Sequence, residues 1–275
     1  MAKTSQIVRL PNAPLSEVVF ELRWALQSYR DFPVILQTDP ALLPLLDRFT
    51  SAMRKIGFRA TKDLAPPSQV AGHSIARRYY KRAELPFPIL QIGPGIFASN
   101  DGSLYKWDAY KAQTIKGLKA LLEAYPKLGV YDLSPNYLEL RYIDAFDKSL
   151  VGSTSLVDFI NGGTRMRIEL PPFLADPNCF SGETDGRLLI QRKLVGWTES
   201  LFSMDLGSGK SGTTDIVRME TKIVCRGDGV PKLSTKSAFL NKVDSWLEFA
   251  HGVASPYFRE FVTDAVMAKF KKKKQ

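Results

Sequence analysis

FELRW at residues 20–24 and LELRY at residues 138–142 share one pattern: apolar, Glu, Leu, Arg, aromatic. Around the first, Val18, Phe20, Leu22 and Trp24 alternate with Val19, Glu21 and Arg23, the period-two signature of a strand with one apolar face. After FELRW come a helix pattern (TDPALLPLLDRFTSAMRKIGF, ending at Gly57), two strand patterns (HSIARRYYKRA and PILQIGPGIFASND) and a second helix pattern (YKWDAYKAQTIKGLKALLEAYP). After LELRY the plan returns. A short helix, SLVDFINGG, is followed by the strands TRMRIELPPF, GRLLIQRKLVGWTESLFSMDLG and TDIVRMETKIVCRG and by a long closing helix. A matched pentad alone arises by chance; at the head of two segments with the same order of elements it indicates duplication.

The expected fold is therefore α+β: duplicated β-α-β-β-α halves, residues 1–134 and 135–270, sharing an antiparallel sheet packed against helices, with a basic tail at 271–275. On such a sheet Glu21, Arg23, Glu139 and Arg141 occupy the face opposite the apolar stripe. If the two strands are antiparallel neighbours, each Glu meets the other's Arg, as a structural charge quartet or as a polar site on the open face. The closing helix keeps an apolar stripe from Phe239 to Val266 with Pro256 inside it, so a kink or break is expected at residues 254–256. Its last piece packs on its own sheet or on a second copy of the chain, which makes a homodimer one expectation.

The chain has 275 residues, 44% of them hydrophobic and 24% charged, and a net charge of +10. That charge favours nucleic acid, another anion or an acidic protein as partner. Cys179 and Cys225 have neither the spacing of a metal site nor the density of a disulfide scaffold, which fits a reducing cytoplasm. No run reaches the ~18 apolar residues that a membrane helix needs, so a soluble protein is expected.

Two glycine-bearing stretches test for phosphate chemistry. In QIGPGIFASND, residues 91–101, apolar Ile96 and Phe97 continue a strand after Gly95 and no helix follows directly, so a bulge or bend is expected rather than a phosphate cradle. In DLGSGKSGTTD, residues 205–215, Met204 stands where a phosphate-binding loop needs its first glycine. A hairpin loop whose Lys210 touches an anion is the reading. His73 and His251 are the only histidines, and neither has a second histidine nearby, so no metal or cofactor is expected; His251 reads as a packed helix residue. ARRYYKRA sets Arg77, Arg78, Lys81 and Arg82 around Tyr79 and Tyr80, a mixture suited to phosphate contacts and base stacking. With strand alternation Arg78, Tyr80 and Arg82 share a face.

NAPLSEVVFELRW, QIGPGIFASND followed by YKWDAY, LELRYIDAF and FAHGVASPYFREFV resemble, in that order, an uncharacterised bacterial family of sporadically distributed proteins. The resemblance runs from Asn12 to about Phe270, leaves residues 171–214 unmatched, and brings no known activity or catalytic residues. Patchy occurrence implies carriage on mobile or defence-type loci. The functional expectation is a non-catalytic binding or accessory protein that engages RNA, DNA or an acidic protein, such as one encoded by a neighbouring gene, through a basic sheet face. The alternatives are a metal-independent RNA-processing nuclease and a protein that neutralises a toxin or scaffolds an effector.

Overall fold

A computed structural model describes residues 12–31, 34–66, 69–102, 105–126, 133–152, 155–172 and 186–271. Cys179 and the end of the basic tail, 272–275, lie outside them. The first half runs β1 (Leu15–Trp24), β2 (Gln27–Asp31), β3 (Val34–Thr38), α1 (Leu42–Lys55), β4 (Ala60–Asp63), β5 (Arg77–Tyr80), β6 (Ile89–Gly93), β7 (Ile96–Gly102) and α2 (Trp107–Ala124). The second runs β8 (Pro135–Asp147), α3 (Lys148–Val151), α4 (Leu156–Asp158) with a π-helical turn at Phe159–Gly163, β9 (Arg187–Lys193), β10 (Ser200–Ser211), β11 (Thr214–Arg226), α5 (Lys236–Phe261) and α6 (Asp264–Lys271).

Nine strands form one antiparallel sheet in the order β4-β5-β6-β7-β1-β8-β11-β10-β9, and β2 and β3 make a separate hairpin. The two strands with the repeated pentad, β1 and β8, lie side by side at its centre. In each half the last strand returns to pair with the first, β7 on β1 and β11 on β8, and the earlier strands continue outward. The fold class and the shared sheet are as the repeat predicts. The hairpin β2–β3 and the edge strand β4 are additions to the expected plan.

The helical side is built on the predicted alternation. Phe20, Leu22 and Trp24 of β1 and Leu138 and Leu140 of β8 are fully buried. They meet the α1 stripe Leu45, Phe49 and Met53, Leu118 and Leu121 of α2, and Phe239, Val243, Trp246 and Leu247 of α5 in one core. Edge-to-face ring contacts tie the layers, Phe20 to Trp246 at 6.2 Å and Phe49 to Tyr79 at 5.2 Å. No helix among the described residues is long and apolar enough to cross a membrane.

Several local expectations are corrected. Gly93-Pro94-Gly95 is neither a bulge nor a phosphate cradle: Gly93 pairs with Ile96, so Pro94-Gly95 is the two-residue turn between β6 and β7. Gly95 takes φ +71, which a Pro-Gly turn of this kind requires and which favours glycine. The turn is locked in place. The Trp24 amide donates to Gly95 O at 3.0 Å, the His73 amide donates to Pro94 O at 2.8 Å, and the Gly95 amide donates to Asp39 Oδ2 at 3.3 Å. Asp39 also accepts from Trp24 Nε1 and from the Ala41 amide at the start of α1.

Residues 165–171 are not a strand: the Asn161 amide donates to Ile168 O and accepts from the Ile168 N–H, the Arg165 amide donates to Phe261 O, and the Met166 amide donates to Thr164 Oγ1. The GSGK stretch is not a loop, since β10 continues to Ser211 and the chain turns at Gly212 and Thr213. Pro256 does not break α5. The carbonyl that its missing N–H leaves unpaired belongs to exposed Gly252, where water can reach it. The helix ends instead at Val262, which bridges to Thr164, while the Thr263 amide donates to Gly163 O at 2.9 Å.

The Gly95 site yields a direct test. A Cβ there would stand 2.8 Å from Leu26 and 2.9 Å from His73, on a backbone that strains any L side chain. Gly95→Ala is expected to destabilise the fold by about 1–3 kcal/mol in urea unfolding.

Candidate anion-binding face

Burying Phe20, Leu22 and Trp24 turns Glu21 and Arg23 to the opposite face of β1, and the same alternation turns Tyr137, Glu139 and Arg141 to that face of β8. The register sets Glu21 against Glu139, Arg23 against Tyr137 and Val19 against Arg141. The expected Glu-to-Arg pairing across the ladder holds in one direction only: the two carboxylates are direct partners, the arginines lie two positions away, and Arg141 reaches Glu21 diagonally while Arg23 turns to Glu21 on its own strand. Like charges in direct opposition repel, so the arginines must compensate.

Arg23 bonds Glu21 along its own strand. Arg141 reaches across, with Nε 3.3 Å from Glu139, Nη2 4.0 Å from Glu21 and Nη1 3.8 Å from Glu220 of β11. Glu220 is also bonded by Arg218 and Lys222 from its own strand. Burial pushes the Glu220 carboxyl up, but Lys222, Arg218 and Arg141 outweigh it and hold the group below the usual carboxylate range. The Tyr137 ring lies between two guanidiniums, Arg23 at 4.8 Å and Arg226 at 5.4 Å from its centroid, and its hydroxyl donates to Glu139.

The charges are sorted by depth. The side chains of Glu21, Glu139 and Glu220 are 9%, 6% and 6% exposed, against 37% for Arg23, 26% for Arg141, 29% for Lys222 and 44% for Arg218. Carboxylates line the floor, and cations cover them toward solvent. In the first half the floor is made of amides: Arg78 Nε donates to Gln91 Oε1 at 2.7 Å, Gln91 to Asn100 Oδ1 at 2.6 Å, and Asn100 to Glu17. Gln91 and Asn100 both come from the QIGPGIFASND stretch, so its contribution to this face is two amide side chains and not its glycines.

The predicted basic cluster is divided. Arg78 and Tyr80 belong to the open face. Arg77 turns the other way, bonded twice to Asp63 and to Thr50 Oγ1 at 3.1 Å. Lys81 and Arg82 follow β5 on an exposed turn, with Lys81 5.8 Å from the Phe58 ring centroid. Lys210 lies on the face of Leu206, 3.7 Å from Asp215. Sequence reasoning misses Arg218, Glu220, Lys222 and Arg226, although RMETKIVCR displays them at even spacing; only pairing with β8 shows which carboxylates they meet.

Both histidines make internal contacts. His251 stacks on Trp107 with ring centroids 4.0 Å apart, and its Nδ1 is 2.7 Å from the Tyr142 hydroxyl; burial lowers its pKa to about 4. His73 Nε2 lies 3.1 Å from Trp24 O. Among the described residues no group of three or more His, Cys, Asp or Glu side chains could hold a metal ion. Burial alone raises Asp144, on the helical side of β8, to about 7. No protein-family model matches the chain, and no curated protein matches it.

Arg141→Ala would leave three buried carboxylates with one guanidinium fewer, and is expected to cost about 2–3 kcal/mol in urea unfolding, the partly solvated guanidinium keeping the loss below that of a fully buried pair. A second test uses pH. Folding raises the Asp144 pKa from 3.8 to about 7, so its stabilising effect is complete below pH 3.8 and is lost as pH rises to about 7. His251 acts in the opposite sense: folding lowers its pKa from 6.5 to about 4, so its contribution is complete above pH 6.5 and is lost as pH falls toward 4. In Asp144→Asn the opposing slope is gone. Its urea midpoint is expected to rise from pH 4 to 6.5 and to exceed the parent's at pH 8; a variant no more stable than the parent at pH 8 contradicts the assignment.

Proposed function

We propose that the chain is a non-catalytic binding protein that takes nucleic acid onto the open face of its sheet. The observation that carries this reading is the sorting of charge by depth: buried carboxylates hold guanidinium and ammonium groups outward, so a surface rich in ion pairs still presents cations to a partner. Phosphate contacts from such a surface supply affinity and position without reading sequence. The net charge of +10 acts in the same direction by raising the local concentration of polyanions. An association with a mobile or defence-type bacterial locus, as an accessory protein, enters through the family resemblance.

Labelled single- and double-stranded RNA and DNA, titrated across a salt series, test the reading. Binding is expected to weaken steeply with salt. Arg78→Gln with Arg226→Gln, both on the open face, should lower affinity and reduce the salt slope by about one for each phosphate no longer neutralised. Arg77→Gln, on the other face, should change neither. Absence of binding at low salt overturns the reading and moves the search to an acidic protein partner.

A further inference from the structure

The duplication is not symmetric in charge. Opposite Arg23 the neighbouring strand β7 carries Ile96, whereas opposite Arg141 the neighbouring strand β11 carries Lys222. Two residues before Lys222 stands Glu220; two before Ile96 stands Pro94, in the turn. Three cations therefore converge on one buried carboxylate in the second half, and the first half has no counterpart among its described residues.

We infer that Arg141, Arg218 and Lys222, gathered around Glu220, form a phosphoryl-binding site that opens onto the adjoining groove over β9–β11. This deepens the nucleic-acid reading, and rests on it for the source of the phosphoryl group. The groove has a volume of about 540 Å³; Arg187 and Arg218 line it together with Asp205 and Gly207. At Gly207 the open face carries no side chain, so an anion can approach the strand. Arg187 is engaged by Asp205 through two bonds and stands at the rim. Arg141 lies within ion-pair reach of three carboxylates, its buried Nε 3.3 Å from Glu139 and its Nη1 and Nη2 3.8 and 4.0 Å from Glu220 and Glu21, beyond hydrogen-bond distance, so it is the Nη groups that an anion would meet. Arg23, Arg141, Arg187, Arg218 and Lys222 face Glu21, Glu139, Asp205 and Glu220 across this network, five cations to four carboxylates, which leaves a net positive charge. A tetrahedral oxyanion, with oxygens for donors arriving from separate strands, matches that arrangement better than a planar carboxylate does.

Glu220 is a positioning residue here, and that can be told from simple charge. Glu220→Gln makes the face more positive, so a purely Coulombic surface would bind anions more tightly. A positioned site binds them more weakly. The test titrates the full chain with pyrophosphate by calorimetry, and with a labelled oligonucleotide, for the parent, Glu220→Gln, the double variant Arg218→Gln/Lys222→Gln, and Lys119→Gln on α2 as a charge control. The expected result is pyrophosphate binding that falls about tenfold in Glu220→Gln and at least as far in the double variant, as the loss of charge-assisted hydrogen bonds requires, with Lys119→Gln like the parent. If Glu220→Gln does not fold, the double variant decides, since both of its side chains are partly solvated and its remaining groups stay paired. No pyrophosphate binding by the parent, unchanged affinity in the double variant, or tighter binding by a folded Glu220→Gln overturns the inference. Oligonucleotide binding that ignores the double variant removes this site and leaves the broader reading standing. Pyrophosphate binding without oligonucleotide binding does the reverse, and makes a free nucleotide or phosphate ester the source of the group.

Discussion

Glu21 stands directly opposite Glu139 where β1 and β8 meet, and the polar architecture of the protein follows from that opposition. The register that causes it is not negotiable, because sliding either strand by one residue would turn Phe20, Leu22 and Trp24, all fully buried, toward the outer face. Apolar burial thus dictates that two carboxylates share the centre of the sheet. Their repulsion is relieved by arginines two residues further along each strand, and Arg141 extends the network to Glu220 on β11. Long side chains that must lie over buried carboxylates end with their charged heads toward water. A surface lined with cations is then a by-product of how the core is closed.

The two halves differ around this shared seam. The first has become a braced scaffold, in which Asp39 ties Trp24, the start of α1 and the β6–β7 turn together while amide side chains fill the floor beneath Arg78. The second carries more of the cations of the outward sheet face, among them Arg141, Arg187, Arg218, Lys222 and Arg226, on strands that reach the far edge of the sheet. The helical layer joins them: Lys111 of α2 meets Asp244 and Glu248 of α5, and Trp107 covers His251. Neither half closes its core without the other, because α2 and α5 pack side by side over β1 and β8 and share Phe20 and Trp246.

Much of this is legible in the residues themselves. The repeated pentad points to duplication, alternation in VVFELRW places Glu21 and Arg23 opposite the core, and the stripe in LLPLLDRFTSAM marks the buried side of α1. These readings rest on local geometry, two residues per repeat in a strand and 3.6 per turn in a helix, which any window of a few residues displays. The failures share a different cause. TRMRIE has strand-like residues, but its Arg165, Met166 and Ile168 amides are taken by Phe261 O, Thr164 Oγ1 and Asn161 Oδ1. Pro256 is a helix breaker by rule, yet the carbonyl it orphans faces solvent. The Arg77–Arg82 cluster is one run in sequence and is split between opposite faces in space.

Which side chains share a face, where charge accumulates and that the chain repeats are all written in the order of residues, since each follows from covalent spacing and composition. That Glu21 stands directly opposite Glu139 with Arg141 reaching it only diagonally, that Glu220 gathers cations from two strands, and that Gln91 and Asn100 underlie Arg78 are outcomes of the assembled sheet alone. The ion-pair network around Arg141 joins residues as far apart in the chain as Glu21 and Glu220. Register across such separations is chosen by the fit of the whole core, and no local pattern contains it.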